Sequence, residues 1–181
     1  MPHPVKQASR RLYHLLLMTA MLTLSGCLGM PDDVEPVGDF ELDRYLGQWY
    51  EIARLDHAFE RGLERVTAQY TLGEEGGVQV VNRGFNPETG QWKEAEGKAY
   101  FVDDPGTGYL KVSFFGPFYG SYVIFELGPD YEYAFVSGPD YDYLWLLARE
   151  PRVDAGVLER FTTRAQALGF DSSALIMVKH P

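Results

Sequence analysis

Between Gln48 and Arg149 the chain repeats one pattern: a short β-forming run, then a break of turn chemistry. The runs are Gln48 to Asp56, Arg65 to Leu72, Val78 to Phe85, Gln91 to Val102, Tyr109 to Phe115, Phe118 to Leu127, Tyr131 to Ser137 and Tyr141 to Arg149. After a longer connection at His57 to Glu64, the breaks are clusters of glycine, proline and acidic residues, such as Glu74-Glu75-Gly76-Gly77, Gly116-Pro117 and Gly138-Pro139-Asp140. Such a series predicts an up-and-down antiparallel meander. Left open, the sheet would expose two edges, and closing it removes both. The expected fold class is therefore all-β, a closed eight-stranded up-and-down antiparallel barrel. A barrel of that size either fills its interior with side chains or holds one small ligand.

The faces of the runs indicate which side is inward. From Gln91 to Val102, the more charged face carries Trp92, Glu94, Glu96, Lys98 and Tyr100, and the other Lys93, Ala95, Gly97, Ala99 and Phe101. The second set is predicted to face inward, and its small residues leave room. From Tyr109 to Phe115, Lys111 is expected outward and Leu110, Val112 and Phe114 inward. Both faces of Tyr141 to Arg149 are largely apolar, so both need cover. Val157, Leu158, Phe161, Ala165 and Leu168 recur at helical spacing, with Asp154 as N-cap and Gly169 as stop. One C-terminal helix packed outside against Leu144, Leu146 and Ala148 would leave Tyr143 and Trp145 to the lumen. A final short strand, Leu175 to Val178, returns to the sheet.

In the first run, Gly47-Gln48-Trp49 opens a strand that continues as Tyr50-Glu51-Ile52-Ala53-Arg54. Alternation places Trp49, Glu51, Ala53 and Leu55 on one face and Tyr50, Ile52, Arg54 and Asp56 on the other. Downstream come Asn82-Arg83-Gly84-Phe85-Asn86-Pro87, Glu96-Gly97-Lys98-Ala99, Leu110 to Pro117 and Asp142 to Arg149. These motifs, in this order and over nearly all of Phe40 to Val178, resemble the lipocalins, specifically their bacterial outer-membrane branch. The resemblance implies a structural signature of Gly47, Trp49 and Arg149, with the arginine lying across the indole at a closed base. It also implies a carrier or store of a fatty acid or lysophospholipid in envelope lipid maintenance. Where the family has Thr-Asp-Tyr before the seventh strand, this chain has Pro129-Asp130-Tyr131.

Residues 1 to 26 read as a signal peptide. Lys6, Arg10 and Arg11 precede a mostly apolar Leu12 to Leu24 and the small Ser25-Gly26. Leu24-Ser25-Gly26-Cys27 resembles the bacterial lipoprotein box, which implies an acylated Cys27 as the lipid attachment site. Because Leu28 and not an aspartate follows, the resemblance implies the outer membrane, on its periplasmic face. Residues 27 to 39, rich in proline and acid, are expected to form a lipidated tether, and 40 to 181 the barrel domain.

The net charge of −10, borne despite a basic leader, argues against a nucleic-acid partner, whose phosphates need a basic surface. With its single cysteine assigned to lipid, the domain has no internal disulfide. No Gly-x-Ser-x-Gly elbow, phosphate-cradling loop or His-Glu-x-x-His pair occurs, so the expectation is a non-enzyme without catalytic residues, metal or cofactor, the alternatives being a lipocalin-like enzyme acting on a lipid and a filled-core interaction module at the envelope. The expected ligand-binding residues are Ala99, Val112, Phe114, Tyr119, Phe125, Tyr143 and Trp145, with tyrosine hydroxyls near the mouth for a polar head. These rings either line an acyl-chain pocket or fill the barrel. Phe114 to Gly120 is unusually apolar for a turn. It is either a lip meeting lipid or a second copy in a homodimer, or it is buried beneath the loop that carries Phe59.

Overall fold

The computed structural model describes residues 28–73 and 76–181. The signal peptide and Cys27 lie outside the described residues. Nine strands form: β1 (Gly47–Arg54), β2 (Glu64–Leu72), β3 (Val78–Asn86), β4 (Gln91–Phe101), β5 (Tyr109–Phe115), β6 (Phe118–Leu127), β7 (Tyr133–Ser137), β8 (Leu144–Ala148) and β9 (Ile176–Met177). Strands β2 to β8 pair in sequence order, all antiparallel. The first half of β1 lies along β2, Gly47 opposite Tyr70, and its second half along β8, Arg54 opposite Trp145. That double engagement closes eight strands into the expected barrel. The ninth strand adds to β1 at Ala53 and Arg54.

Strands β7 and β8 start later than predicted because the residues before them are turn. Tyr131 has a left-handed backbone at φ 59°, and Asp140 Oδ1 accepts from Asp142 N at 2.9 Å. Aromatic residues in these turns mimic a strand pattern, since side-chain type alone does not separate the two.

Two apolar layers result. Outside the barrel, helix α2 (Ala155–Ala167) buries Phe161 and Ala165 against Phe135, Leu144, Leu146 and Ala148, with the Phe135 and Phe161 rings edge-on at 4.9 Å. Asp154 occupies the N-cap position, although its side chain makes no capping bond. Gly169, at φ 90°, ends the helix as expected. Inside, Trp49, Tyr70, Val80, Ala99, Ile124 and Val136 belong to the lumen.

Two local expectations are corrected. The alternation along β1 breaks at a bulge: Glu51 pairs with Leu147 and Ala53 with Leu146, leaving Ile52 as the extra residue. Beyond it the faces exchange, so Ala53 and Leu55 join the helix-side core and Arg54 turns toward Glu51. The expected tether is also laid onto the barrel from Gly29 onward. Val34 is 2% exposed, Val37 N donates to Ile124 O at 2.8 Å, and Gly108 N donates to Val37 O at 2.8 Å. The acidic side chains that dominate this stretch point to solvent, while Pro31, Val34 and Phe40 between them are buried.

Strands that run up and down place the β1–β2, β3–β4, β5–β6 and β7–β8 connections at one end, the mouth. Helix α1 (Leu42–Tyr45) and the remaining connections are at the other end, the base.

Candidate functional site: a capped apolar lumen with an acceptor-lined cluster

The base is closed by its aromatic residues and one arginine. Trp49 is fully buried and its indole N–H donates to Tyr45 O at 2.8 Å. The Arg149 guanidinium lies 3.9 Å from the indole centroid, a contact worth roughly 0.5 to 2 kcal/mol. The same guanidinium donates to Gln48 O at 3.0 Å and Arg44 O at 2.6 Å, so one side chain ties α1 to β1. Gly47 sits at φ 99°, and a Cβ there would lie 3.4 Å from Arg149 Nη1. At the turn before β7, the Asp130 N–H is taken by Glu132 Oε2 at 2.9 Å, and Tyr131 OH accepts from Glu41 N at 2.9 Å.

Above this floor is a cavity of about 100 Å³, lined by Val66, Ala68, Val78, Val80, Ala99, Leu110, Val112, Phe114, Trp145 and Leu147 among others. The small Ala68 and Ala99 leave the space, and Gly97 keeps it open in another way: any Cβ there would meet the Phe114 ring at 2.8 Å. The lumen is therefore not filled. Tyr45, Tyr70 and Tyr122 share its lower part, with Tyr122 OH 2.7 Å from Tyr45 OH and 2.9 Å from Tyr70 OH. Burial is the largest cause pushing all three phenols up, so they stay neutral. Their hydroxyls are occupied with one another.

Polar groups toward the mouth come from residues the sequence reading did not select. Arg54 Nη1 donates to Glu51 Oε1 at 2.7 Å, and Arg54 Nη2 donates to the carbonyls of Glu60 at 2.8 Å and Leu63 at 3.3 Å. The Trp145 indole N–H donates to Glu60 Oε2 at 3.2 Å, and His57 Nε2 lies 3.0 Å from the same oxygen. Burial, then the neighbouring Glu60 charge, raises the Glu51 carboxyl well above its ordinary value. Burial pushes Glu60 up as well, but this is outweighed by the neighbouring His57, Glu51 and Trp145, so it sits lower than usual. Of the two, Glu51, paired with Arg54, holds a proton more tightly than usual, and Glu60, beside His57 and Trp145, less tightly. Both carboxyls line the cavity, as does Asn82, whose Oδ1 is buried without a partner in the protein.

Of the expected ligand-binding residues, Ala99, Val112, Phe114 and Trp145 come together around the cavity. Tyr143 stands just before β8, where its ring stacks on Trp145 at 6.0 Å and 28°, beside the cavity and not on its wall. Phe125 is displaced from expectation: it belongs to the helix-side core with Val123, because Tyr122 and Ile124 take the inward positions of β6. Tyr119 also lies off the cavity wall, next to Tyr100 at 6.4 Å and Lys111 at 5.4 Å. The expected tyrosine hydroxyls are in the lower lumen, and the acceptors nearer the mouth are Glu51, Glu60 and Asn82. A glutamate two residues after the signature tryptophan, on its face, was the available sign.

A closed meander with a sealed base and a slim apolar cavity is a barrel suited to enclosing a small hydrophobic molecule. The model of the Lipocalin-like domain matches residues 40–180, and the chain belongs to the lipocalin family. It is 59% identical over 166 residues to the outer membrane lipoprotein Blc of Vibrio cholerae, covering 91% of this chain and 97% of that one. Its identity to the protein of the same name from Escherichia coli K12 is 52% over 151 residues, with 83% and 85% covered. Among solved structures, insecticyanin from the tobacco hornworm superposes with a TM-score of 0.67 at 21% identity, over 84% of this chain and 87% of that one. That likeness concerns the fold alone.

Proposed function

We propose that this protein carries or stores a monoacyl lipid in envelope lipid maintenance, held at the periplasmic face of the outer membrane by an acylated Cys27. The observation that carries this reading is a slender apolar lumen that ends in hydrogen-bond acceptors. At about 100 Å³ the cavity lies below the roughly 300–1,000 Å³ of pockets that bury drug-sized ligands, so a ligand must displace lining side chains to enter, and a slim unbranched chain demands less displacement than a bulky ring system. Glu51, Glu60 and the unpartnered Asn82 Oδ1 offer acceptors to an ammonium or hydroxyl head. The free carboxylate of a fatty acid would add a further anion beside Glu60. Between the two expected ligands, the site therefore favours a lysophospholipid with an amine-bearing head.

Titrating the purified protein with lysophosphatidylethanolamine and with palmitate, followed by tryptophan fluorescence, tests this choice. Saturable one-site binding, tighter for the lysophospholipid and with the lipid recovered intact, is expected. Equal or tighter palmitate binding would overturn the head-group assignment, and turnover of the lipid would point to an enzyme. Adjacent residues of β8 then separate pocket from scaffold. Trp145→Ala should weaken lysophospholipid binding by about 1.5–3 kcal/mol, the scale of one large apolar side chain. Leu146→Ala, beneath α2, should instead cost about 2–5 kcal/mol of stability with affinity kept. The anchor has its own test: Cys27→Ser should fold and leave the outer-membrane fraction, and an acylated, membrane-bound variant would refute the assignment.

A further inference from the structure

Apolar surface outside the lumen is gathered at one end of the barrel. Among the described residues the exposed large aromatic side chains are Phe59, Trp92, Phe115, Phe118 and Tyr141, with Phe115 and Phe118 each 71% exposed. All five stand on mouth-end connections or beside them. Of the other exposed large apolar residues, only Leu72 is at the base end; Ile176 and Met177 pair with the mouth-side end of β1. Single apolar residues scattered on a surface are ordinary, whereas a cluster confined to one end marks an interaction site. The lip expected at Phe114 to Gly120 is thus open to solvent and not covered by Phe59, which is itself 67% exposed.

The chain that leads to Cys27 leaves the barrel at this same end. Gly29 N donates to Ser121 Oγ at 3.0 Å, and a Cβ on Gly29 would lie 3.8 Å from Pro139 O. Ser121 follows closely on Phe118, and Pro139 precedes Tyr141 in the β7–β8 turn. Consecutive Cα atoms are about 3.8 Å apart, so Cys27 Cα lies within about 7.6 Å of Gly29 Cα. The base is a strand length away: the 10 residues of β6 span on the order of 30 Å at about 3.3 Å each. With residues 30–40 laid on the barrel, there is no slack for Cys27 to reach around to the base.

We infer that the mouth is a membrane-docking face. The acyl chains on Cys27 and the aromatic lip of Phe59, Phe115 and Phe118 enter one lipid leaflet, so that the cavity opens onto the bilayer. This rests on the proposed acylation of Cys27. Aromatic rings suit the depth of the head groups, and cations stand close behind the lip, with Arg83 4.4 Å from the Trp92 ring centroid and Lys111 5.4 Å from that of Tyr119. Exposed acids stand at both ends, Glu88, Asp140 and Asp142 at the mouth and Glu41 and Asp130 at the base, so the docking rests on the apolar lip and the acyl chains and not on net charge.

The acylated full chain, reconstituted in phosphatidylethanolamine and phosphatidylglycerol vesicles that contain brominated acyl chains, tests this orientation. Cys27 is the single native cysteine, so an added thiol can be labelled selectively once Cys27 is acylated. Gly116→Cys sits in the lip, where a new Cβ meets nothing within 4 Å. Asp130→Cys sits at the base, where the aspartate side chain is 96% exposed. A bimane on the first should be quenched several-fold more than on the second. Equal quenching, the reverse order, or a lip shielded by cross-linkable self-association in protein that floats with the vesicles would overturn the orientation. Protein that fails to float would overturn the anchoring reading together with it. The double variant Phe115→Asp/Phe118→Asp should take up lysophosphatidylethanolamine from vesicles several-fold more slowly while binding the monomeric lipid normally, and unchanged uptake would count against the lip.

Discussion

Replacing Trp49 with alanine should destabilise the protein by about 3–5 kcal/mol, the cost of truncating a buried aromatic in a packed core. The indole is fully buried, its N–H satisfies Tyr45 O, and its face supports Arg149. Truncation therefore opens a cavity at the base and removes the surface over which the guanidinium reaches Arg44 O and Gln48 O. For a domain of this size each kcal/mol moves the melting temperature by about 2–4 °C, so a drop on the order of 10 °C is expected by calorimetry. A melt unchanged within error would contradict the role of Trp49 as the plug of the base. The double variant with Arg149→Ala should lose less than the sum of the single losses, since the two residues share one contact.

Replacing Arg54 with methionine should cost a similar amount, about 3–5 kcal/mol, because it breaks the buried Arg54–Glu51 pair. Arg54 is 1% exposed and also holds the β1–β2 loop through Glu60 O and Leu63 O. The loss should depend on pH in a defined direction. Glu60 sits below its ordinary value of 4.5, so in the native protein it contributes stability above that pH, lost as pH falls through its lowered pKa. Glu51 is raised and contributes in the opposite sense, stabilising below 4.5 and losing that effect as pH rises through its raised pKa. Arg54 holds the Glu51 carboxyl down against burial, so without Arg54 that carboxyl rises further, and the gap between variant and native protein should be narrow where Glu51 is protonated in both and widen as pH rises through its raised pKa. A loss that stays equal from acid to alkaline pH in denaturant melts would show that Arg54 acts through packing and its carbonyl contacts alone. Glu51→Gln provides the control: it keeps an acceptor for Arg54 and a neutral donor for Glu60, and should be tolerated far better than Arg54→Met.

The parts of this molecule legible in the sequence were those that burial writes into periodicity. The strand series, the outward helix beneath Leu144, Leu146 and Ala148, and the inward set Ala99, Val112, Phe114 and Trp145 all followed from alternation at 2 or 3.6 residues. Phe125 and Tyr119 were misplaced where aromatic type stood in for alternation: both faces of β6 are apolar, one facing the lumen and one α2, so a ring there does not announce its side. The bulge at Ile52 adds one residue without any special residue type, which hid the inward turn of Arg54 and the buried cluster around Glu51 and Glu60. Composition misled at residues 30–40, because the exposed acids Asp32, Asp33, Glu35 and Asp39 are interleaved with the apolar side chains that fasten the segment to the barrel.

A crystal structure of the protein with lysophosphatidylethanolamine tests the proposed site most directly. The acyl chain should lie between Ala99, Val112, Phe114 and Leu147, above the Tyr45, Tyr70 and Tyr122 hydroxyls, with the head group's ammonium or hydroxyl within hydrogen-bond distance of Glu51, Glu60 or Asn82. A lipid found only on the outer surface, with the lumen side chains unmoved around an empty cavity, would contradict it.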